Sequence, residues 1–484
     1  MSVGLLVLSG LAFAGVARVP VFVDEANNVL GGCLIARGVV PYRDTFFHHF
    51  PLPYYLLASL GEQGACSVSA ARYLGLAALT LAIATFACIA RQPLVPLALL
   101  LVMLSGPAYY LQRYLAETVL AAGMILSLAL LTEGGRQLGG AAGFALRFVA
   151  LLVLTSSSQI GLMMACVLGP LMLLGAPGQR RSVLAAGVAA LLVWPIFFLA
   201  NGALRAFVDQ AIVFNVQVYG PYLDVHLTSP TALLWQTLAF LRHRFSFGVD
   251  WLAGQDADAS AATFAAGFEL GLAVLLGALV VMSRRDVLFR LAVCLLLPLA
   301  VARDGFHLSP FVVLAAVACS QLMGGVIDRS RFVQASAVIV AILALRIYFL
   351  FLPTELDAPD ELAASLRPDS RVLQHTGPDD TVLFLPMSPD GYLSDDRRPG
   401  SFYSFFLPWQ ADVPGAEKRL IADIEQNEVA VIVLDQETAV WEKYQFGEYA
   451  PRVRDHILST YHPVDSRDPK RARIFVREGV RASR

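Results

Sequence analysis

The segment VFVDEANNVLGGCLIARGVVPYRDTFFHHFPLPYYL, residues 21–56, places ionisable side chains between two apolar stretches. Its candidate functional residues are Asp24, Glu25, Tyr42, Arg43, Asp44, His48 and His49. A partly buried carboxylate can act as a general base, because burial raises its pKa toward neutrality, and Arg and His can stabilise a phosphate leaving group as negative charge develops. One chemistry that uses such a set is the transfer of a group from a lipid-linked phosphate donor.

The composition places this segment in a membrane protein. Of the 484 residues, 57% are hydrophobic and 15% are charged, whereas soluble domains contain about 25% charged residues. The charges lie in short clusters between apolar runs, and the chain is ordinarily polar only after about Thr354. We therefore predict a helical transmembrane domain over residues 1–352 and a second domain over residues 353–484. A net charge of -2 without a basic patch excludes nucleic acid as a partner.

The second domain is predicted to be a small α/β domain. TVLFLPM, VAVIVLD and ARIFVRE are short runs rich in β-branched residues, which is typical of strands. GAEKRLIADIEQN and YAPRVRDHILSTY lie next to them and have the periodicity of amphipathic helices.

A bilayer crossing requires about 20 mostly apolar residues. On this basis we predict about 11 crossings, at residues 3–20, 69–90, 93–111, 115–132, 143–156, 159–175, 182–200, 263–282, 287–302, 309–323 and 333–352. The first run lacks the preceding positive charge of a secretory signal, so we expect a retained helix.

The distribution of arginine predicts the side of each loop. Cytoplasmic loops are enriched in Lys and Arg, which assigns to the cytoplasm the loops that contain Arg91, Arg136, Arg180, Arg181, Arg284, Arg285, Arg329 and Arg331. Arg136 and Arg180 can share a side only if an even number of crossings separates them. Residues 143–175 are therefore predicted to form two short helices joined at TSSSQ. The first loop, residues 201–262 and the C-terminal domain then lie outside.

Further ionisable residues fall on the same outer side. Arg113 and Glu117 flank the second outer turn, and Arg303, Asp304 and His307 lie in a late outer turn. Ionisable residues near membrane depth are costly, so they usually face a cavity and have a function.

The cysteines show no metal-binding pattern. The chain has six cysteines and no CxxC pair. Only Cys33 and Cys66 lie in or beside the first polar interval, where they can form a disulfide if that side is oxidising.

Several motifs resemble the GT-C glycosyltransferases of the protein-mannosyltransferase and aminoarabinose-transferase type. In the first loop these are VDE, then GVVPY, then Asp44 and the HHFP entry to the next helix. QRYLAE matches the second outer turn of that family, and RDGFHLSP matches its Arg-to-His turn. DGYLSDDRRPGSFYSF and LIADIEQNEVAVIVLD are similar to its extracytoplasmic domain.

The resemblance implies an inverting transfer of a sugar from a polyprenyl-phosphate donor to an extracytoplasmic acceptor. The acceptor is a lipid, a cell-surface glycan or a protein. By position Asp24 is the base, Glu25 is the second candidate, and Asp44 or Glu117 assists. The predicted contacts to the donor phosphate are Arg113, Arg303, His307 and Gln159, and the predicted substrate contacts are Tyr42, Arg43, His48 and His49. Many relatives have Lys-Pro where this chain has Ser158 and Gln159, which favours Arg113 and Arg303 as the main phosphate ligands.

Other interpretations remain open at this stage. Asp24 can simply cap the following helix, Arg113 and Glu117 can form an intrahelical ion pair, and the two histidines can mark a polar helix end. No residue spacing supports a metal site; a divalent cation bound by the histidines and Asp24 is the remaining alternative. The alternative function is a transporter or flippase of a lipid-linked saccharide, although internal repeats and acids at the bilayer midplane are not evident.

Overall fold

A computed structural model describes residues 20–90, 113–222 and 361–477, apart from 438, 442, 467 and 469–471. The first described part contains a helix in the first loop, Val23–Ala36, which we call the first-loop helix, and a helix after the loop, Leu52–Ala58. The helices that follow are Gly61–Ala65, Val68–Ala90, Ala116–Leu131, Glu133–Gln137, Gly140–Ser157, Gln159–Gly175, Arg180–Ala200 and Leu204–Val208, and π-helical turns over Asp209–Val213 and Asn215–Tyr219 lead to Gly220–Tyr222.

Five of the predicted crossings lie in the described residues, and each coincides with a helix. Three helical stretches are long and apolar enough to cross a membrane: Val68–Ala90, Gly140–Ser157 and Pro177–Ala200. Two shorter apolar helices, Ala116–Leu131 and Gln159–Gly175, match the other two. The predicted crossings at residues 3–20, 93–111, 263–282, 287–302, 309–323 and 333–352 lie outside the described residues, as does the predicted domain boundary.

The helix Ala116–Leu131 occupies the centre of the bundle. All 16 of its residues are buried, as expected for a helix that is apolar around its whole circumference and surrounded by other helices. Leu120, Met124 and Leu128 share a core with residues of the helices on either side. We call it the central helix; its first turn carries Glu117.

The predicted helix pair at TSSSQ is confirmed. The chain leaves the helical conformation at Ser158, which has φ -160° and ψ 170°, and the Ser158 side chain accepts a hydrogen bond from Gly161 N to cap the second helix. Gly139 lies close to Gln179, so the two helices between them run out and back. The opposite end of the pair lies at the first loop, where Gln159 Nε2 donates to His48 O at 2.8 Å.

The C-terminal segment forms a mixed sheet of five strands in the described residues, in the order β2-β1-β3-β5-β4. Strands β1 (Thr381–Leu385) and β3 (Val431–Leu434) are parallel, and β5 (Ile474–Arg477) is antiparallel to β3. These three are the predicted strands. The edge strands β2 (Arg398–Pro399) and β4 (Tyr461–Pro463) were not predicted.

The helices before and between these strands are Glu361–Ser365, Ser370–Gln374, Pro389–Asp395, Pro408–Ala411, Ala416–Gln426, Phe446–Tyr449 and Pro451–Thr460. The two predicted helices are among them. Leu420 and Ile424 of one, and Val453 and Ile457 of the other, are buried at a spacing of four residues, so each helix presents one apolar face to the core.

The sheet domain packs directly on the first loop. Leu30 and Leu34 of the first-loop helix share a core with Val382 and Phe384 of β1. The backbone of the first loop also bonds to the domain, because Phe46 N donates to Phe402 O at 2.8 Å. The first loop and the sheet domain therefore lie at the same end of the helix bundle.

Candidate active site at the first loop

The acidic pair lies in the first turn of the first-loop helix. The helix begins at Val23, and Phe22 occupies the N-cap position with extended backbone. Asp24 is therefore not the capping residue, and that alternative is wrong. Two carboxylates in the first turn interact favourably with the partial positive charge of a helix N-terminus.

The two acids differ in their surroundings. Glu25 is completely buried and accepts two hydrogen bonds from Arg72, at 2.8 Å from Nε and 2.6 Å from Nη2. Its Oε1 also accepts the backbone N–H of Tyr114 at 2.9 Å. Glu25 thus joins the first-loop helix to Val68–Ala90 and to the residues before the central helix, whereas Asp24 is only half-buried.

Three polar side chains, Asp24, Tyr54 and Glu117, are linked by electrostatic interactions. The carboxylates of Asp24 and Glu117 both act on the Tyr54 hydroxyl. Tyr54 and Glu117 are buried. Each of the three side chains comes from a different helix: the first-loop helix, Leu52–Ala58 and the central helix.

Arg113 lies next to this group. Its guanidinium carbon is 5.0 Å from the centre of the Phe22 ring, within the range of a cation–π contact. Its carbonyl accepts the Thr118 hydroxyl at 2.8 Å, which fixes the chain at the entry to the central helix. The buried Arg113 guanidinium therefore lies beside Phe22, the N-cap residue of the first-loop helix.

The Pro-Tyr-Arg-Asp turn is a structural feature. Tyr42 has a φ of 69°, its ring is buried against Phe198 and Phe207, and its hydroxyl donates to His49 O at 2.7 Å. Tyr42 is thus engaged with the protein rather than presented to a ligand.

The following residues of the turn pair with each other. Arg43 donates to both carboxylate oxygens of Asp44, at 2.8 and 2.9 Å, and to Asn201 O at 3.0 Å. The hydrogen bonds from Arg43 lower the pKa of Asp44, with a further contribution from the backbone N–H of Val40. A carboxylate with a lowered pKa is a weaker base, so Asp44 suits the role of general base less well than a half-buried acid.

The rings of His48 and His49 pack against each other, with centres 4.0 Å apart and planes tilted by 38°. Burial lowers the pKa of His48 well below its usual value, and the neighbouring His49 lowers it further. The carbonyl of His48 accepts hydrogen bonds from Gln159 at 2.8 Å and from Asn215 at 2.5 Å. Gln159, predicted to contact phosphate, thus uses its amide to hold the first loop.

Cys33 and Cys66 form a disulfide. It ties the end of the first-loop helix to the segment that precedes Val68–Ala90. Among the described residues, no group of three His, Cys, Asp or Glu side chains has an arrangement that could hold a metal ion. Arg303, Asp304 and His307 lie outside the described residues.

Sequence reasoning missed four residues that shape this region. Arg72 forms an ion pair with Glu25, and Tyr54 interacts electrostatically with Asp24 and Glu117. Gln210 and Asn215 hold the loop, with Gln210 bonded to Tyr42 O and Phe47 N. Arg72 had a visible signal, because an arginine within an apolar 23-residue helix is expensive unless it is paired. The other three carry no signal in the sequence, since their roles depend on tertiary contacts.

No protein-family model matches the sequence, and no curated protein matches it either. Solved structures do match it, among them two that match over nearly the whole chain. One is ArnT from Cupriavidus metallidurans bound to undecaprenyl phosphate, at 13% identity and a TM-score of 0.57, over 98% of this chain and 97% of that chain. The chain has the ArnT fold.

The apo structure of the same ArnT matches with the same coverage, 12% identity and a TM-score of 0.55. This agreement confirms the architecture that the sequence resemblance implied: apolar helices followed by a mixed C-terminal sheet. At this identity the ArnT likeness describes the fold, and the chemistry depends on the residues described above.

Proposed function

We propose that this protein is an integral-membrane inverting glycosyltransferase that moves a sugar from a polyprenyl-phosphate donor to an extracytoplasmic acceptor. The observation that carries the proposal is the near full-length match to an ArnT structure bound to undecaprenyl phosphate. The half-buried Asp24 beside Glu117, with Arg113 close to the same helix turn, provides the acid and cation that such a reaction requires.

Asp24 is the proposed general base. It takes the proton of an acceptor hydroxyl, the hydroxyl oxygen forms a bond to the anomeric carbon of the donor sugar, and the bond from that carbon to the phosphate oxygen breaks. The leaving polyprenyl phosphate takes the bonding electron pair. Attack opposite to the leaving group inverts the anomeric configuration.

The other first-loop acids have different proposed roles. Glu25 is bound by Arg72 on both oxygens, so it holds the helix that carries Asp24. Asp44 is paired with Arg43 at the edge of the loop. Glu117 is buried and, like Asp24, interacts electrostatically with Tyr54; its proposed role is to assist Asp24.

The leaving phosphate requires positive charge. Arg113 is the proposed ligand from the described residues, and Arg303 and His307 are the proposed ligands from the late outer turn. A guanidinium can bind two phosphate oxygens at once, which compensates the charge that develops as the bond breaks. Arg43, His48 and His49 are proposed to border the substrate path, while Tyr42 and Gln159 hold the shape of the loop.

We further propose that the transmembrane domain covers residues 1–352, and that the first loop and the domain over residues 353–484 are extracytoplasmic. The Cys33–Cys66 disulfide supports this placement, because disulfides persist in oxidising compartments. The Arg180–Ala200 helix supports it as well. It begins with two arginines and ends at Asn201, whose carbonyl accepts a hydrogen bond from Arg43 of the first loop.

The test uses full-length protein in lipid nanodiscs. Undecaprenyl phosphate should bind with a saturable isotherm, and undecaprenyl phosphates that carry radiolabelled mannose, glucose or arabinose should show which sugar is accepted. Mass analysis of surface glycans from cells with and without the gene should then reveal one missing sugar. Movement of an intact lipid-linked sugar across proteoliposomes without transfer would instead favour the flippase alternative.

A further inference from the structure

The Tyr54 hydroxyl is one of several buried polar atoms in the described residues that have no hydrogen-bond partner there. The residue is fully buried. It nevertheless lies near two carboxylates, those of Asp24 and Glu117. A buried hydroxyl is nearly always hydrogen-bonded in a native protein, so one that is not is expected to bond to something absent from the structure.

The ring of Tyr54 is held firmly in place. It packs on the Phe47 ring with centres 4.6 Å apart. On its other side it lies against Gly31 of the first-loop helix, where a Cβ atom would come within 2.5 Å of Tyr54 Cδ1. The absence of a side chain at Gly31 therefore lets the ring approach the helix that carries Asp24. Tyr114 bonds to the carbonyl of the preceding residue, Pro53, at 2.6 Å, which fixes the backbone as well.

Packing alone does not explain the oxygen atom. A phenylalanine would fill the same volume against Phe47 and Gly31 without burying an unsatisfied hydroxyl. The neighbouring Asp24 is half-buried, so a ligand that reaches Asp24 comes close to Tyr54.

We propose that Tyr54 is a substrate-binding residue whose hydroxyl donates a hydrogen bond to a neutral sugar hydroxyl held between Asp24 and Glu117. The sugar hydroxyl donates its own proton to one of the two carboxylates, so the sugar hydroxyl and the Tyr54 hydroxyl are both hydrogen-bonded. A sugar hydroxyl suits this position better than a phosphate, because it can accept a hydrogen bond from Tyr54 and donate one to a carboxylate, whereas an ionised phosphate can only accept. This inference rests on the proposed glycosyl transfer and adds a sugar-recognising subsite to it.

The sugar hydroxyl belongs to either the donor or the acceptor, and two measurements distinguish these sources. The variants are Tyr54→Phe and, as a matched control, Tyr55→Phe, which removes a hydroxyl from the adjacent residue that stacks on Trp194. Each full-length protein in nanodiscs is titrated with bare undecaprenyl phosphate and with the sugar-bearing form that wild type binds best. Transfer to surface glycans is measured in cells that express each variant.

For a donor hydroxyl, Tyr54→Phe should weaken binding of the sugar-bearing lipid about 10-fold and leave binding of the bare lipid unchanged. For an acceptor hydroxyl, binding of both lipids should be unchanged and surface transfer should fall by a similar factor. In both cases the melting temperature should stay equal to that of wild type or rise, because no native hydrogen bond is lost.

Two results would overturn the inference. One is a Tyr54→Phe variant equal to wild type in lipid binding and in transfer. The other is equal loss of bare and sugar-bearing lipid, which would place Tyr54 at the phosphate. Wild-type protein that binds no polyprenyl phosphate would contradict the proposed function itself, and the inference with it.

Discussion

Arg72 holds Glu25 through both carboxylate oxygens in the interior of the protein, at 2.6 and 2.8 Å, and neither side chain is accessible to solvent. The pair links the turn that carries Asp24 to the helix Val68–Ala90. Two adjacent acids thus have separate roles: one anchors the helix, and the other stays half-buried at its edge.

Loss of one member of this pair should destabilise the protein strongly. Glu25→Ala or Arg72→Met leaves an uncompensated buried charge, which costs about 3–5 kcal/mol. The double variant should lose less than the sum of the two single variants, as measured by thermal unfolding in detergent. Asp209→Ala is the control, because its pair with Arg205 is exposed and contributes about 0–1 kcal/mol. Additive losses in the double variant would contradict the pairing.

The proposed base can be tested by removing its basicity alone. Asp24→Asn keeps the size of the side chain, so the protein should fold normally while transfer falls about 10²–10⁴-fold. Asp44→Asn should reduce transfer less, since Asp44 is paired with Arg43 at the loop edge. Turnover measured with the accepted donor decides between the two acids. A folded Asp24→Asn variant with normal turnover would rule out Asp24.

Acidification should destabilise the first loop through His48. Burial lowers the pKa of His48 below its usual value of about 6.5. Below pH 6.5 the unfolded chain therefore binds a proton that the folded chain does not, and stability falls as the pH decreases toward the folded pKa. His48→Phe keeps an aromatic ring and removes this proton. Its melting temperature should drop less between pH 7.5 and 5.5 than that of wild type; an equal drop would count against the assignment.

Cysteine labelling tests the orientation in the membrane. In a background where Cys88, Cys166, Cys294 and Cys319 are replaced by Ser, a membrane-impermeant thiol reagent should label Ser459→Cys in intact cells. Gly178→Cys, in the exposed turn before Arg180–Ala200, should be labelled only after permeabilisation. The reverse pattern would place the first loop and the sheet domain in the cytoplasm and would contradict the proposed donor chemistry.

The parts of the fold that the sequence predicts are those governed by local physics. The break at Ser158 follows because Arg136 and Arg180 can lie on the same side of the membrane only if an even number of crossings separates them. Strands β1, β3 and β5 follow from runs of β-branched residues. The edge strand β2 spans only Arg398 and Pro399, and its pairing with β1 is a tertiary effect that no local pattern reveals.

The candidate site was predicted less completely. Asp24 and Glu117, which the sequence groups as candidate acids, both interact electrostatically with Tyr54; their catalytic roles stay predictions. The sequence could not predict that Glu25 is bound by Arg72 while Asp24 stays half-buried, because this difference depends on where Arg72 lies in the folded protein. The sequence also gives no sign of the helical turns over residues 204–222, which supply Gln210 and Asn215 to the first loop.

The contact between the first loop and the sheet domain also constrains the timing of biosynthesis. Thr45 donates its hydroxyl to Phe402 O, across 357 positions of sequence. At a synthesis rate of about 5–20 residues per second, the first loop must wait roughly 20–70 seconds before its partner is made. During that interval Leu30 and Leu34 lack the sheet-domain residues that they pack against in the folded protein. If synthesis stops before β1, the first-loop helix has no sheet domain to pack against.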